Sequence, residues 1–334
     1  MTAAVHKVGV LVPSTTRPEE LVPISQQVER LGFDELWMSE DYFLNGGFAS
    51  AALALQATSH IPVGLGVVSS VVRHPAVTAM EVSTLVRAFP GRLLTAIGHG
   101  VPAWTKQMGL YPKSPMTALR TVVETTRALL DGETLTIQEG PFLFDKVSLA
   151  HPATQPVDLY TGVIGPKSLE LSGEIADGTV MSVIAAPKYL ALVKEHVATG
   201  AQRSGRNADE HRLPTFVLYN VDHDGAAARE NAKAALAFYL QAVGPTPMTG
   251  VYGINDQLVQ ILASGDLAQI TAELPDEWID IFTIAGTPDE CVSKIREFGD
   301  AGATSVILAP FPAEDGNRML ELTASSVLPL LRDA

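Results

Sequence analysis

A single cysteine in 334 residues, Cys291, excludes an intramolecular disulfide and any cysteine-built zinc or iron-sulfur site. Basic clusters are also missing, and 23 Lys and Arg against 37 Asp and Glu leave a formal charge of -14. Nucleic acid and anionic membrane surfaces are therefore poor partners. No stretch reaches the roughly 18 apolar residues that a membrane-spanning helix needs. Met1 to Lys7 lack the basic region and following apolar run of a signal peptide, so the expected location is the cytoplasm. There is no Walker loop, no Gly-x-Gly-x-x-Gly turn, no His-Glu-x-x-His pair, and no Ser-His-Asp or Cys-His set that can be assembled. Hydrolysis through a protein nucleophile is disfavoured, and no metal site is expected.

What the chain does have is apolar surface. Hydrophobic residues make up 46% and charged residues 18%, enough for one large core and too apolar for a disordered tail. Val8 to Pro13 stays apolar on both faces, as a strand buried in a parallel sheet does. A helix follows: Thr16 and Glu19 form a candidate capping box around Pro18, Leu21, Ile24, Val28 and Leu31 share one face, and Gly32 closes it. The same strand-helix grammar recurs with strands at 35–39, 61–68, 93–97, 157–163, 179–184, 215–221 and 305–309, and helices at 51–56, 75–87, 117–130, 166–176, 187–199, 226–242 and 316–331. Eight alternating units predict an α/β fold, a closed (β/α)8 TIM barrel, because closure removes both sheet edges.

Residues 1–334 are read as one barrel domain with two insertions. Residues 131–150 predict a hairpin turning at Glu139-Gly140. Residues 244–283 predict a flap or lid, or equally a subunit-packing surface. A further helix over 287–298, boxed by Thr287 and Glu290, leads into the last strand.

A barrel's chemistry lies at the C-terminal ends of its strands. Glu40 and Asp41 follow strand two; neighbours on a strand point opposite ways, so at most one faces the mouth and handles a proton. Gly98-His99-Gly100 follows strand four, where two glycines let a flat ligand come close to backbone. Gly165-Pro166-Lys167-Ser168 opens a helix whose free amides and dipole suit a phosphate, with Lys167 adding charge. Trp37, Tyr42, Phe43 and Trp104 are candidate apolar walls for an organic substrate. With no nucleophile or metal of its own, a barrel so equipped points to a bound cofactor as the source of reactivity.

These residues resemble the luciferase-like monooxygenase superfamily, in particular its coenzyme F420-dependent, methylenetetrahydromethanopterin reductase-like branch. The resemblance spans nearly the whole chain. It is carried by Gly32-Phe33-Asp34-Glu35-Leu36-Trp37 leading to Glu40-Asp41, by Arg73-His74-Pro75-Ala76-Val77-Thr78-Ala79, and by Gly91-Arg92 through Gly98-His99-Gly100. Gly165 to Ser168 running on to Glu174-Ile175-Ala176-Asp177-Gly178, then Gly286 to Glu290 and Asp300-Ala301-Gly302-Ala303, complete it. It implies a deazaflavin across the barrel mouth, its ring against a strand-three bulge at Gly66-Val67, where family members often hold a cis peptide. It places the cofactor phosphate near Gly165, Lys167 and Ser168. For an acidic cofactor tail, Arg73, Lys106, Lys113 and Arg120 are candidate cations.

The departures from that pattern carry information too. In the sugar-phosphate dehydrogenases of this branch a His follows the strand-two acid and a Glu follows the strand-four glycines. Here Asp41 and Val101 stand in those places, which argues against sugar phosphate oxidation and for a reductase, with Asp41 able to take the proton role. The leading expectation is a coenzyme F420-dependent oxidoreductase moving a hydride to or from a small organic substrate. FMN is the alternative cofactor, in a luciferase-like monooxygenase, and an F420-binding protein without turnover is a second alternative. A homo-oligomer, specifically a dimer, is the expected assembly. A hydrolase using Glu40 with Asp41 fails, because adjacent residues are badly placed to flank a scissile bond.

Overall fold

The computed structural model describes residues 7–332; Met1 to His6, the bulk of the segment read for a targeting signal, lie outside the described residues. Eight parallel strands form the barrel: β1 (Lys7–Val12), β2 (Glu35–Met38), β3 (Val63–Ser69), β4 (Leu93–Gly98), β5 (Leu159–Gly162), β6 (Gly178–Val180), β7 (Pro214–Val221) and β8 (Ser305–Pro310). Pairing runs in chain order from β1 to β6, and β8 sits between β7 and β1. The ring closes between β6 and β7 through bridges Gly178 to Arg212 and Met181 to Thr215, with the Met181 amide donating to the Pro214 carbonyl at 2.9 Å.

The strands fold here because they are apolar on both faces. All eight residues of β7 are buried, one side meeting the barrel interior and the other the helical layer, the pattern of parallel strands covered on both sides. β6 is shorter than its apolar run predicts, because the chain turns at Ser182, whose carbonyl accepts from the Ala185 amide at 2.8 Å. Helices Gly47–Ala57, Pro75–Ala88, Pro115–Leu130, Pro166–Ile175, Pro187–Ser204 and Pro288–Ala301 belong to the outer layer. Five of these six begin with proline, whose missing N–H costs nothing in a first turn.

Several expectations are corrected. Thr16 and Glu19 form no capping box: Pro18–Glu20 is a short 3-10 turn whose N-cap is Arg17, with no capping side chain, and the α-helix starts at Leu21. The box at Thr287 and Glu290 is present. A four-residue strand, Thr283–Gly286, unread in the sequence, pairs with the C-terminal half of β7, and a short helix, Pro102–Gln107, follows β4. The hairpin is real, Leu135–Ile137 pairing with Phe144–Val147 around Gly140 at φ 114°. Within 244–283 lie four short helices, Pro247–Gly250, Asn255–Leu262, Leu267–Glu273 and Asp276–Phe282. They send Met248, Leu258, Ile270, Trp278 and Phe282 into the common hydrophobic core. Among the described residues no helix is long and apolar enough to cross a membrane.

Candidate active site

The site is built around an irregularity in β3. Its pairing with β4 runs to Leu65 opposite Thr95 and resumes at Val68 opposite Ile97. Gly66 and Val67 therefore face the single residue Ala96, a β-bulge that re-aims a side chain at the barrel rim. The Gly66-Val67 peptide is cis, as are Tyr42-Phe43 and Phe311-Pro312.

The bulge lays Val67 across the ends of β4 and β5, and glycines make room for it. A Cβ on Gly98 would lie 2.8 Å from Val67 Cγ2, and one on Gly162 only 2.4 Å from Val67 Cγ1. A Cβ on Gly66 would meet Phe216 at 2.6 Å. These contacts fix the floor of a cavity of about 480 Å³ at the C-terminal ends of the strands, where barrel enzymes do their chemistry. Its volume lies within the range of small-molecule and cofactor sites.

Of the four aromatic residues read as walls, two take that place. Tyr42 and Trp104 line the cavity and meet edge to face at 6.1 Å between ring centroids. Trp37 does not. It is fully buried, donates from Nε1 to Glu35 Oε2 at 2.9 Å and packs at 5.5 Å under Phe216, one layer below the floor. Phe43 also falls outside the lining, 65% exposed on the loop beyond β2.

The two adjacent carboxylates have different fates. Glu40 is buried and fully engaged: Arg73 donates to it from Nη1 at 2.8 Å and Nη2 at 2.6 Å, the Gly47 amide at 2.8 Å, and the Tyr42 hydroxyl at 2.8 Å. Burial works to raise its pKa, but the Arg73 pair and the Gly47 and Tyr42 donors outweigh it, and the carboxyl sits below its ordinary value. Burial and the Glu40 charge push the Tyr42 phenol up, so it stays protonated. Asp41 is only half-buried; the Ser14 hydroxyl donates to its Oδ2 at 2.5 Å.

Arg73, read as a candidate for an acidic cofactor tail, is committed elsewhere. Besides Glu40 it faces Glu81 at 3.3 Å through Nε. Arg120 is likewise paired, with Glu124 and Glu174. The ion pair of Glu40 with Arg73 was not legible, since no motif joins residues 33 positions apart. Ser14 carried no signal either.

The helix start read as a candidate anion seat lies beside the cavity. Gly165 is the N-cap of helix Pro166–Ile175, and no side chain caps it, so the amides of its first turn remain available to an anion. Space at Gly165 is open, its nearest neighbour being Ser168 Oγ at 3.8 Å from an added Cβ. Lys167 is exposed next to it. His99, which lines the cavity, reaches Ser168 Oγ from Nε2 at 3.2 Å, tying seat and cavity together. Its Nδ1 is buried without a hydrogen-bond partner among the described residues, and burial lowers its pKa. Gly100 turns at φ 75°, where an added Cβ would lie 2.5 Å from Ser69 Oγ. A floor that glycines keep flat, an orphaned imidazole nitrogen and an uncapped helix start fit a planar ligand carrying a phosphate.

A larger cleft of about 610 Å³, lined by Asp158, Asp177, Arg206, His211 and Arg212 among others, opens at the opposite end of the barrel. Its charges are spent on one another, Arg206 with Asp177 and Arg212 with Asp158.

A closed parallel barrel with its cavity at the C-terminal strand ends, beside a free helix N-terminus, defines a ligand-binding α/β barrel. Residues 1–305 match the luciferase-like monooxygenase family, and the chain belongs to it. Relatives include a 5,10-methylenetetrahydromethanopterin reductase of Methanolobus tindarius, 27% identical over 305 residues, covering 90% of this chain and 93% of the relative. An F420-dependent glucose-6-phosphate dehydrogenase of Nakamurella multipartita is 30% identical over 339 residues, covering 94% and 93%. The solved structure of the coenzyme F420 dependent tetrahydromethanopterin reductase from Methanopyrus kandleri superposes with a TM-score of 0.86 at 26% identity, covering 98% of this chain and 100% of that one.

Proposed function

We propose that this chain is a coenzyme F420-dependent oxidoreductase that transfers a hydride between the deazaflavin and a small organic substrate. The observation that carries the reading is the pairing of the Val67 floor with the uncapped amides at Gly165, bridged by His99 and Ser168. The relatives named above support the choice of F420 over FMN.

When bound, the deazaflavin supplies or takes up a hydride at a ring carbon, so the protein needs no nucleophile. Gly66 and Val67 would hold the ring, with Gly98 and Gly162 making room for the Val67 side chain. The amides at the start of helix Pro166–Ile175, with Lys167 and Ser168, would hold the phosphate. Tyr42 and Trp104 add aromatic walls to the same cavity, which would limit water around the reacting atoms. Glu40, with its oxygens committed to Arg73, Gly47 and Tyr42, positions Tyr42 and takes no proton. Asp41, hydrogen-bonded by Ser14, is the group free to orient or exchange a proton with substrate.

The test is a fluorescence titration of the purified protein with F420 and, separately, with FMN. The reading expects saturable F420 binding in preference to FMN. Tight FMN binding with no affinity for F420 would overturn it.

A further inference from the structure

We infer that the substrate of this site is an organic molecule without anionic groups that presents an N–H or O–H to Asp41. The inference rests on the reading above and narrows it to a substrate class.

The first observation concerns charge. Among the residues lining the cavity there is no Lys or Arg, while both Glu40 and Asp41 border it. The nearest guanidinium, Arg73, has both terminal nitrogens on Glu40 and its Nε toward Glu81. Its charge is thus balanced by two carboxylates, and it brings no uncompensated cation to a substrate phosphate or carboxylate. The cations beside the seat, Lys167 foremost, stand at the helix start and not in the cavity lining. An anionic substrate would thus leave water for a place with no countercharge and a carboxylate at its edge, which is costly.

The second observation concerns hydrogen bonding. Ser14 occupies Asp41 Oδ2, and Oδ1 has no hydrogen-bond partner among the described residues. Ser14 thereby holds by one oxygen a carboxylate that lines the cavity and whose charge, second to burial, raises the Tyr239 phenol pKa, an acceptor-only group that rewards a donor and repels another anion. The remaining walls beyond the Val67 floor, Val101, Trp104, Val163, Ile164 and Met181, are apolar and favour an uncharged body.

The same conclusion separates this chain from relatives named for a sugar phosphate. In a site of this composition discrimination comes from the unmatched charge, since repulsion works against the wrong substrate as effectively as attraction favours the right one.

A matched probe pair tests the inference: 2-naphthamide and 2-naphthoate, of similar shape, one uncharged with N–H donors and the other an anion. Binding of each to the F420-loaded protein is measured by ligand-observed NMR. The amide is expected to bind about tenfold or more tightly than the carboxylate, and Asp41→Asn is expected to bring the two within about threefold while the circular dichroism spectrum is unchanged. Equal binding of the pair, a preference for naphthoate, no binding of naphthamide, or a preference unaltered by Asp41→Asn would each overturn it. If F420 itself fails to bind, the functional reading fails. The probe pair is then compared on the protein in phosphate buffer, which fills the helix start and tests the selectivity separately.

Discussion

Arg73 holds Glu40 with two parallel hydrogen bonds, Nη1 to Oε1 at 2.8 Å and Nη2 to Oε2 at 2.6 Å, with the carboxylate buried beneath Tyr42. A fork-on-fork pair of this kind is geometrically demanding, and removing one partner strands the other charge away from water. Arg73→Met is expected to destabilise the fold by about 3–5 kcal/mol in urea unfolding, and adding Glu40→Gln is expected to recover most of that loss. A single-variant change below about 1 kcal/mol would show that water reaches the pair.

The floor depends on glycine at the end of β5. Gly162→Ala places a methyl 2.4 Å from Val67 Cγ1, so Val67 must lift into the cavity. The expected cost is about 1–3 kcal/mol of stability, with F420 affinity falling about tenfold or more. Unchanged affinity in a stable variant would mean that the ligand does not rest on Val67.

Gly165→Asp separates helix stability from ligand binding. A carboxylate at a helix start stabilises the helix by about 0.3–1 kcal/mol, so the melting temperature is expected to hold or rise. The same charge opposes a phosphate there, and F420 binding is expected to weaken about tenfold. A variant that binds F420 as the wild type does removes the seat.

A pH dependence arises at the far end of the barrel. His211, hydrogen-bonded to Thr179 Oγ1 at 2.8 Å, is pushed down to about 4 from 6.5, chiefly by burial and then by the Arg206 charge, with Asp177 acting in the other direction. A depressed histidine is neutral in the folded protein at a pH where the unfolded chain already binds a proton. Its contribution is therefore present above about pH 6.5 and is lost as pH falls toward 4, up to about 3 kcal/mol. Urea unfolding at pH 7 and at pH 4.5 is expected to show this loss in the wild type and a smaller one in His211→Gln. Parallel pH profiles would contradict the assignment.

The barrel was legible because its strands are buried on both faces, and such strands read as apolar runs in sequence; β7 and β1 are the plainest. Turn chemistry was legible where residue types fit one purpose, as at Thr287 and Glu290. It misled at Thr16 and Glu19, where the proline between them starts a 3-10 turn after Arg17. Trp37 was misplaced for a different reason. Alternation along a strand tells inside from outside but not which interior layer a side chain occupies, and Trp37 packs below Phe216. The strand Thr283–Gly286 was missed because four residues give too short a pattern. The helix start at Gly165 was readable from local sequence alone, since a helix start is a local object. The grip of Arg73 on Glu40 and of Ser14 on Asp41 is tertiary, and only the folded chain brings those residues together.

The central claim concerns where the cofactor lies, and a crystal structure of the protein with oxidised F420 tests it most directly. The account predicts the deazaflavin ring in contact with Gly66 and Val67 and the phosphate on the amides at Gly165 to Ser168. A ring bound in the cleft beside Asp177 and Arg206, or a phosphate distant from Gly165, would contradict it.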